Sequence, residues 1–340
     1  MPRNIVICCD GTWNTKDQAF PTNVTKLHAA VKAAADTAQA VTYIPGIDTD
    51  HGLIGKLFGG PFSHGLVDNI KGSYGFLVEN YQPGDNVFLF GFSRGAYTAR
   101  SVAGLIRNCG VLQRPHSDML QPAINMYRSR DHHPNSEVAR TFRETNSHEV
   151  GVHFIGVWDT VGALGIPLRG LNLLTQRKHL FHDDKLSSSV KHAYQALAID
   201  ERRWSFKPAA WEDRTDITAE AKAAQAVEQA WFAGVHTDVG GGQAVAGLSD
   251  LALRWMLVKA EAAGLAYDHA YIDRTSEPDP LSMLHESRTG FYKYLWPHNR
   301  PIAGNRAGET VNAAPIERNE KDPSYRPSNL QSWLSSHPTP

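Results

Sequence analysis

The stretch Val87-Phe88-Leu89-Phe90-Gly91-Phe92-Ser93-Arg94-Gly95-Ala96-Tyr97-Thr98-Ala99-Arg100 decides the fold. Pro83-Gly84-Asp85 ahead of it is turn chemistry, and Val87–Phe90 has the composition of a strand buried on both faces. Gly91-x-Ser93-x-Gly95 falls where that strand ends. A helix follows from Ala96, with Ala99, Val102, Ala103 and Ile106 sharing one face. Strand, sharp glycine-flanked turn and helix together make a nucleophile elbow, which lifts the serine hydroxyl above the sheet. Glycine is needed at both flanks because a Cβ there would meet the neighbouring strand or helix. The five-residue pattern alone is weak, since a capped Gly-Ser turn shares it; the flanking strand and helix give it weight.

Working outward, Ile5–Cys9 reads as a first buried strand, and Val41–Ile44, Val152–Trp158 and Ala230–Val235 read as further strands. Helices are expected over Asn23–Ala35, Leu66–Tyr81 and Asp250–Ala263, the last ended by Gly264. Val190–Leu197 reads as a helix passing into a strand near Ala196–Ile199. Alternating strands and helices give an α/β fold, α/β-hydrolase-like, with a mostly parallel sheet and helices on both faces. Loop and helix insertions are expected over the carboxyl ends of the strands. One domain is expected over residues 1–330, with insertions at about 112–150 and 163–190, and a tail over 331–340. The polar, histidine-rich Arg114–Glu149 should lie across the strand tops. Gly46–Gly65, glycine-rich and apolar, suits either a site entrance or a loop folded on the core.

Formal net charge is −1 over 340 residues, so nothing argues for nucleic acid or an anionic membrane as an electrostatic partner. Of the three cysteines, Cys8 and Cys9 are adjacent in a strand and face opposite sides, while Cys109 is far along the chain. That is no disulfide framework, and it suits a reducing compartment. Met1–Asn4 leads into only a short apolar run, so no signal peptide is read, and no run approaches membrane-spanning length. A cytoplasmic location is expected, with export needing a dedicated secretion machine. Adjacent His132 and His133 lack metal-ligand spacing, and no metal or cofactor is expected.

In parallel sheets chemistry collects beyond the strand carboxyl ends. Ser93, Asp159 and His236 each stand at such an end, in the chain order Ser…Asp…His of α/β hydrolases. Serine needs a histidine to take its proton, and the histidine needs a carboxylate to fix its tautomer. Backbone donors for the developing oxyanion are expected at Arg94, directly after the serine, and at Gly11 or Thr12 after the first strand. Asp10 reads as a brace for that loop. Asp10-Gly11-Thr12 also suggests a haloacid-dehalogenase-type phosphatase, but Cys8 holds the position where that motif needs its nucleophilic aspartate. An alternative acid–base pair is Asp238 with His285, because the usual hydrolase order places the acid two strands beyond the elbow and the histidine in a later loop. Leu164, Leu173 and Leu174, in the apolar segment Leu164–Phe181, are expected to line the substrate entrance.

Cys9-Asp10-Gly11-Thr12-Trp13-Asn14, the elbow, Gly156-Val157-Trp158-Asp159-Thr160-Val161-Gly162 and Gly234-Val235-His236-Thr237-Asp238-Val239-Gly240-Gly241-Gly242 carry a family resemblance. Together they resemble an uncharacterised-domain family of α/β hydrolases that includes type VI secretion lipase effectors acting as phospholipases. Tyr325-Arg326-Pro327-Ser328-Asn329-Leu330 is similar to the family's end. The resemblance implies that Ser93 is the nucleophile, with Asp159 and His236 matching the acid and base by motif. It implies a serine hydrolase cleaving carboxylic esters through an acyl-enzyme, with lipid or phospholipid favoured and peripheral membrane contact compatible with it. A small- or polymeric-ester hydrolase and a non-catalytic hydrolase-fold binding module are the alternatives. Oligomeric state is not legible.

Overall fold

Successive side chains of a strand face opposite sides of its sheet, and in this protein both sides are covered. A computed structural model describes residues 2–34, 39–46, 60–129, 131–161, 186–213 and 217–337. The main sheet is built from β1 (Asn4–Cys9), β2 (Gln39–Ile44) and β3 (Asn86–Phe92). β4 (Val111–Leu112) and β5 (Ser147–His148) form a separate antiparallel pair. The main sheet continues with β6 (Val152–Trp158), β7 (Val190–Ala198), β8 (Ala226–Phe232) and β9 (Glu309–Val311). Its order is β2-β1-β3-β6-β7-β8-β9, with every neighbouring pair parallel. The fold is therefore α/β and hydrolase-like, and the order reverses between β1 and β3. At such a switch point the loops of adjacent strands diverge and leave a crevice.

Alternation sorts the core. Ile5, Ile7, Cys9, Val87, Leu89, Ile155 and Val157 face the helices Gly60–Asn80 and Arg94–Cys109. Val6, Cys8, Phe88, Phe90, Phe154 and Trp158 face the helices Asn23–Ala33 and Gly247–Ala262. Phe88 and Phe90 lie 5.6 and 5.3 Å from Phe154, and Phe90 lies 6.4 Å from Trp158. Such aromatic pairs contribute roughly 0.5–1.5 kcal/mol each beyond their burial. They tie β3 to β6, the strands that carry Ser93 and Asp159. Cys8, Cys9 and Cys109 are buried free thiols, and burial pushes Cys9 up to about 12.

Two expectations are corrected. Val190–Ala198 is a strand throughout, because it lies between β6 and β8, and Lys191 is exposed between the buried Val190 and the inner half of the strand. The Arg114–Glu149 segment does not lie across the strand tops. Its helix Leu120–Arg128 buries Ala123, Ile124, Met126 and Tyr127 in the cluster that holds Leu105, Ile106 and Cys109. The Asn108 side-chain amide donates to the His132 carbonyl at 2.9 Å. The insertion thus covers the foot of the elbow helix, about 24 Å from its serine end.

A third cluster joins Leu197, Ile199, Trp231 and Ala233 to Leu248, Tyr325 and Leu330, so the C-terminal segment closes the sheet beside β7 and β8. Among the described residues no helix is long and apolar enough to cross a membrane.

Candidate active site

Ser93 has φ 57° and ψ −120°, a conformation most residues avoid. Such backbone costs about 1–3 kcal/mol and persists only where its surroundings impose it. Here the Ser93 N–H donates to the Trp158 carbonyl at 3.0 Å. The elbow helix also sits directly against β1: a Cβ on Gly95 would fall 2.2 Å from the Cys9 carbonyl oxygen, and one on Gly91 would fall 2.5 Å from that of Gly95. Both glycines are thus required by close backbone approach.

Ser93 Oγ lies 2.8 Å from His236 Nε2, and His236 Nδ1 lies 2.5 Å from Asp159 Oδ2. All three are buried, Asp159 completely. Burial alone would raise the Asp159 carboxyl, but the Arg300 guanidinium and the His236 bond hold it well below the usual carboxylate range. An ionised carboxylate only accepts, so Nδ1 carries the imidazole proton and Nε2 accepts from the Ser93 hydroxyl. Burial also pulls His236 below its ordinary value, against the opposing pull of Asp159 and Glu201. The ring is therefore neutral at pH 7, as a proton acceptor must be. Phe92 and Phe206 hold it from two sides, with centroids 4.7 and 5.0 Å away. Gly240 permits the first contact, since a Cβ there would fall 2.0 Å from the Phe92 ring.

Asp238 and His285 are brought together, but elsewhere. Asp238 Oδ1 lies 2.5 Å from His285 Nδ1, while Oδ2 accepts from the Val235 and His285 backbone N–H groups at 3.0 and 3.1 Å. The pair braces the turn from β8 into the helix His236–Gly240, and no hydrogen bond joins it to Ser93 among the described residues.

Gly11 needs a correction as an oxyanion donor: its N–H donates to Asp10 Oδ1 at 2.7 Å and is already committed. Asp10 Oδ2 accepts from the hydroxyls of Thr22, Thr25 and Tyr43 at 2.6, 3.0 and 2.7 Å, which makes Asp10 the brace of that loop. Thr12 is buried beside it. Arg94 opens the elbow helix with its guanidinium 5.5 Å from the Trp13 ring centroid, and burial lowers it to about 10. Leu164, Leu173 and Leu174 lie outside the described residues, among which no three His, Cys, Asp or Glu side chains converge as a metal set.

Sequence reasoning missed three participants. Arg300 forms two contacts with Asp159, at 2.6 and 3.0 Å. Glu201, fully buried, accepts from the His236 N–H at 3.3 Å and from Arg203 at 2.9 and 2.8 Å. Phe206 flanks the imidazole. The strand expected near Ala196–Ile199 already put Glu201 just past a strand end, the signal that could have singled it out; nothing periodic marks Arg300 or Phe206.

A family model for the catalytic domain of Tle1-like phospholipase effectors of the type VI secretion system matches residues 3–259. An uncharacterised protein of Saccharomyces cerevisiae is 33% identical over 228 residues, 60% of this chain and 32% of that protein. The chain thus spans about a third of the length of that curated relative. A crystal structure of an uncharacterized Pseudomonas aeruginosa protein is 18% identical with a TM-score of 0.42, covering 78% of this chain and 46% of the other. A structure of the Tle1 effector bound to the VgrG spike of the type VI secretion system is 19% identical with a TM-score of 0.38, covering 72% and 52%.

Proposed function

From the premise that this chain belongs to the family of Tle1-like phospholipase effector catalytic domains, we propose that it is a serine hydrolase that cleaves carboxylic esters of phospholipids. The observation that carries the reading is the hydrogen-bonded line Ser93–His236–Asp159, built on the carboxyl ends of β3, β8 and β6.

Ser93 Oγ attacks the ester carbonyl carbon while His236 Nε2 takes the hydroxyl proton, and Asp159 stabilises the imidazolium. The carbonyl oxygen becomes an oxyanion, which the backbone N–H groups of Arg94 and Thr12 receive; Thr12 replaces Gly11, whose donor is spent on Asp10. Collapse expels the alcohol, which leaves with the proton from His236, and Ser93 holds the acyl group. Water then attacks that acyl ester, again giving its proton to His236. The second collapse frees the carboxylic acid and restores Ser93.

Lipid is favoured over small esters by the rim of the site. Trp13, Trp204, Tyr294 and Trp296 are 56%, 59%, 87% and 91% exposed. Trp13 stands beside Arg94, and the others lie two to four residues along the chain from Phe206 and Tyr292, whose rings meet next to His236. Tryptophan and tyrosine partition to the headgroup level of bilayers, with an apolar ring and a polar edge. Exposed Arg202, Lys207 and Lys293 add positive charge on the same two segments of chain, so peripheral contact with a phospholipid surface belongs to the proposal.

The test has two arms. A fluorophosphonate should label Ser93 in the parent and not in Ser93→Ala, and a lipid panel should show fatty-acid release from phospholipid vesicles. Absence of labelling would sink the serine-hydrolase reading. Labelling with turnover of short soluble esters only would sink the phospholipid assignment.

A further inference from the structure

A carboxylate offers about four lone-pair sites to hydrogen bonds, and Asp159 uses all of them. Oδ1 accepts from Arg300 Nη1 at 2.6 Å and from the Ala198 N–H at 3.1 Å; Oδ2 accepts from His236 at 2.5 Å and from Arg300 Nη2 at 3.0 Å. Arg300 therefore supplies half of what holds the carboxylate. It is 1% exposed and lies beyond residue 259, where the family match ends.

The guanidinium is itself held. Its Nη1 donates to the Ala198 carbonyl at 3.0 Å and its Nη2 to that of Phe206 at 2.5 Å. The backbone carbonyl of Arg300 accepts from Asn329 Nδ2 at 3.0 Å, and the same amide also donates to the Ile199 carbonyl at 3.0 Å. Four residues earlier, the Tyr325 hydroxyl donates to Asp200 Oδ2, which also takes the Gly234 N–H. The Tyr325–Leu330 motif thus staples the C-terminal segment to the ends of β7 and β8. Nε of Arg300 has no hydrogen-bond partner among the described residues. A buried ion pair with an unpaired N–H contributes little to stability, since desolvation offsets its attraction. Its effect belongs to geometry and charge at Asp159.

We propose that Arg300, anchored through Asn329, is a positioning residue that aims the Asp159 carboxylate at His236 and balances its buried charge. The inference rests on the serine-hydrolase reading above. The charged groups facing His236 are Asp159 from β6, Glu201 and Arg203 after β7, and Arg300 behind Asp159; Asp238, on its own helix, is engaged by His285. Without Arg300, a charged Asp159 would favour imidazolium more strongly, and a neutralised Asp159 would no longer support the base. Either way the acid limb of kcat/KM moves to higher pH.

Arg300→Met and Arg300→Lys in the full chain, assayed on nitrophenyl butyrate across pH with thermal unfolding in parallel, test this. The Met variant should lose about 10²-fold in kcat, as misaimed groups do, and its acid limb should rise by roughly one pH unit or more. Lysine keeps the charge without the two-pronged fork; its limb should stay at the parental position while kcat falls about tenfold. A Met variant that folds and keeps the parental limb overturns the inference. If Met does not fold, a Lys variant with parental kcat overturns it. Fluorophosphonate labelling of Ser93 in the parent separates the two readings. No labelling removes the hydrolase reading and this inference with it; labelling with an unmoved limb removes this inference alone.

Discussion

Ser93 makes the contact on which its proposed role as nucleophile rests, the 2.8 Å approach to His236 Nε2. Its strained backbone is imposed by the Trp158 carbonyl and by close packing at Gly91 and Gly95. Ser93→Ala should therefore fold like the parent and lose about 10⁴–10⁶-fold in ester turnover, read by nitrophenyl ester hydrolysis beside thermal unfolding. The same geometry sets the pH response. As the proposed base His236 works only as the neutral ring, and burial lowers its pKa from 6.5. Lowering the pKa of a base extends its neutral form downward in pH. The acid limb of kcat/KM should lie below 6.5, and a midpoint above that value would contradict a desolvated His236 as the base. These residues were legible in the sequence because each follows its own apolar strand within a residue or a few. Arg300 was not, since its partner is 141 positions away and nothing local marks a buried guanidinium.

At the scale of elements, the turn from β8 into His236–Gly240 carries the most consequence. Asp238 closes it through Val235 and His285, and Phe92 packs against the ring that it presents. His285→Ala should destabilise the fold by about 1–3 kcal/mol, the cost of stranding a buried acceptor, and keep most ester turnover. His236→Ala should cost nearly as much turnover as Ser93→Ala. Denaturant melts and initial rates on the two variants decide; a dead, stably folded His285→Ala would return Asp238 and His285 as the acid–base pair. The apolar runs of β1, β3 and β6 announced themselves because both faces are buried. β8 spans Ala226–Phe232 with Ala226–Glu228 only partly buried, so the expected strand Ala230–Val235 caught only its buried end. β7 did not announce itself: Lys191, His192 and Gln195 interrupt its hydrophobic pattern, although the neighbouring strands enforce extension. The short β9 is a three-residue edge strand that only its pairing to β8 defines. Arg114–Glu149 was misplaced because polarity marks an insertion without saying which end of a helix its few apolar residues will cover.

Across the whole molecule, net charge near zero leaves room for local concentrations: exposed Arg202 and Lys207 lie within three residues of exposed Trp204, and exposed Lys293 within three residues of exposed Tyr294 and Trp296, on two segments that the Phe206–Tyr292 contact joins. The sequence of these segments is proline-rich and aperiodic, so neither their exposure nor their nearness to His236 was readable before folding. The contacts that join them to the site are Phe206 against the imidazole and Tyr292 against Phe206. The three exposed aromatics form no part of either contact, so they can be altered with the catalytic groups left in place. If they enter the headgroup layer, each removes apolar surface from water on docking, worth about 1 kcal/mol when the ring is half immersed. Together that is roughly a hundredfold in vesicle affinity. Replacing Trp204, Tyr294 and Trp296 by serine should lower hydrolysis of phospholipid vesicles at limiting lipid by at least about tenfold, with nitrophenyl butyrate turnover near parental. Vesicle co-sedimentation should fall in step. Equal losses on both substrates would mean that the aromatics support the fold, and parental rates on both would leave the two segments without a lipid role.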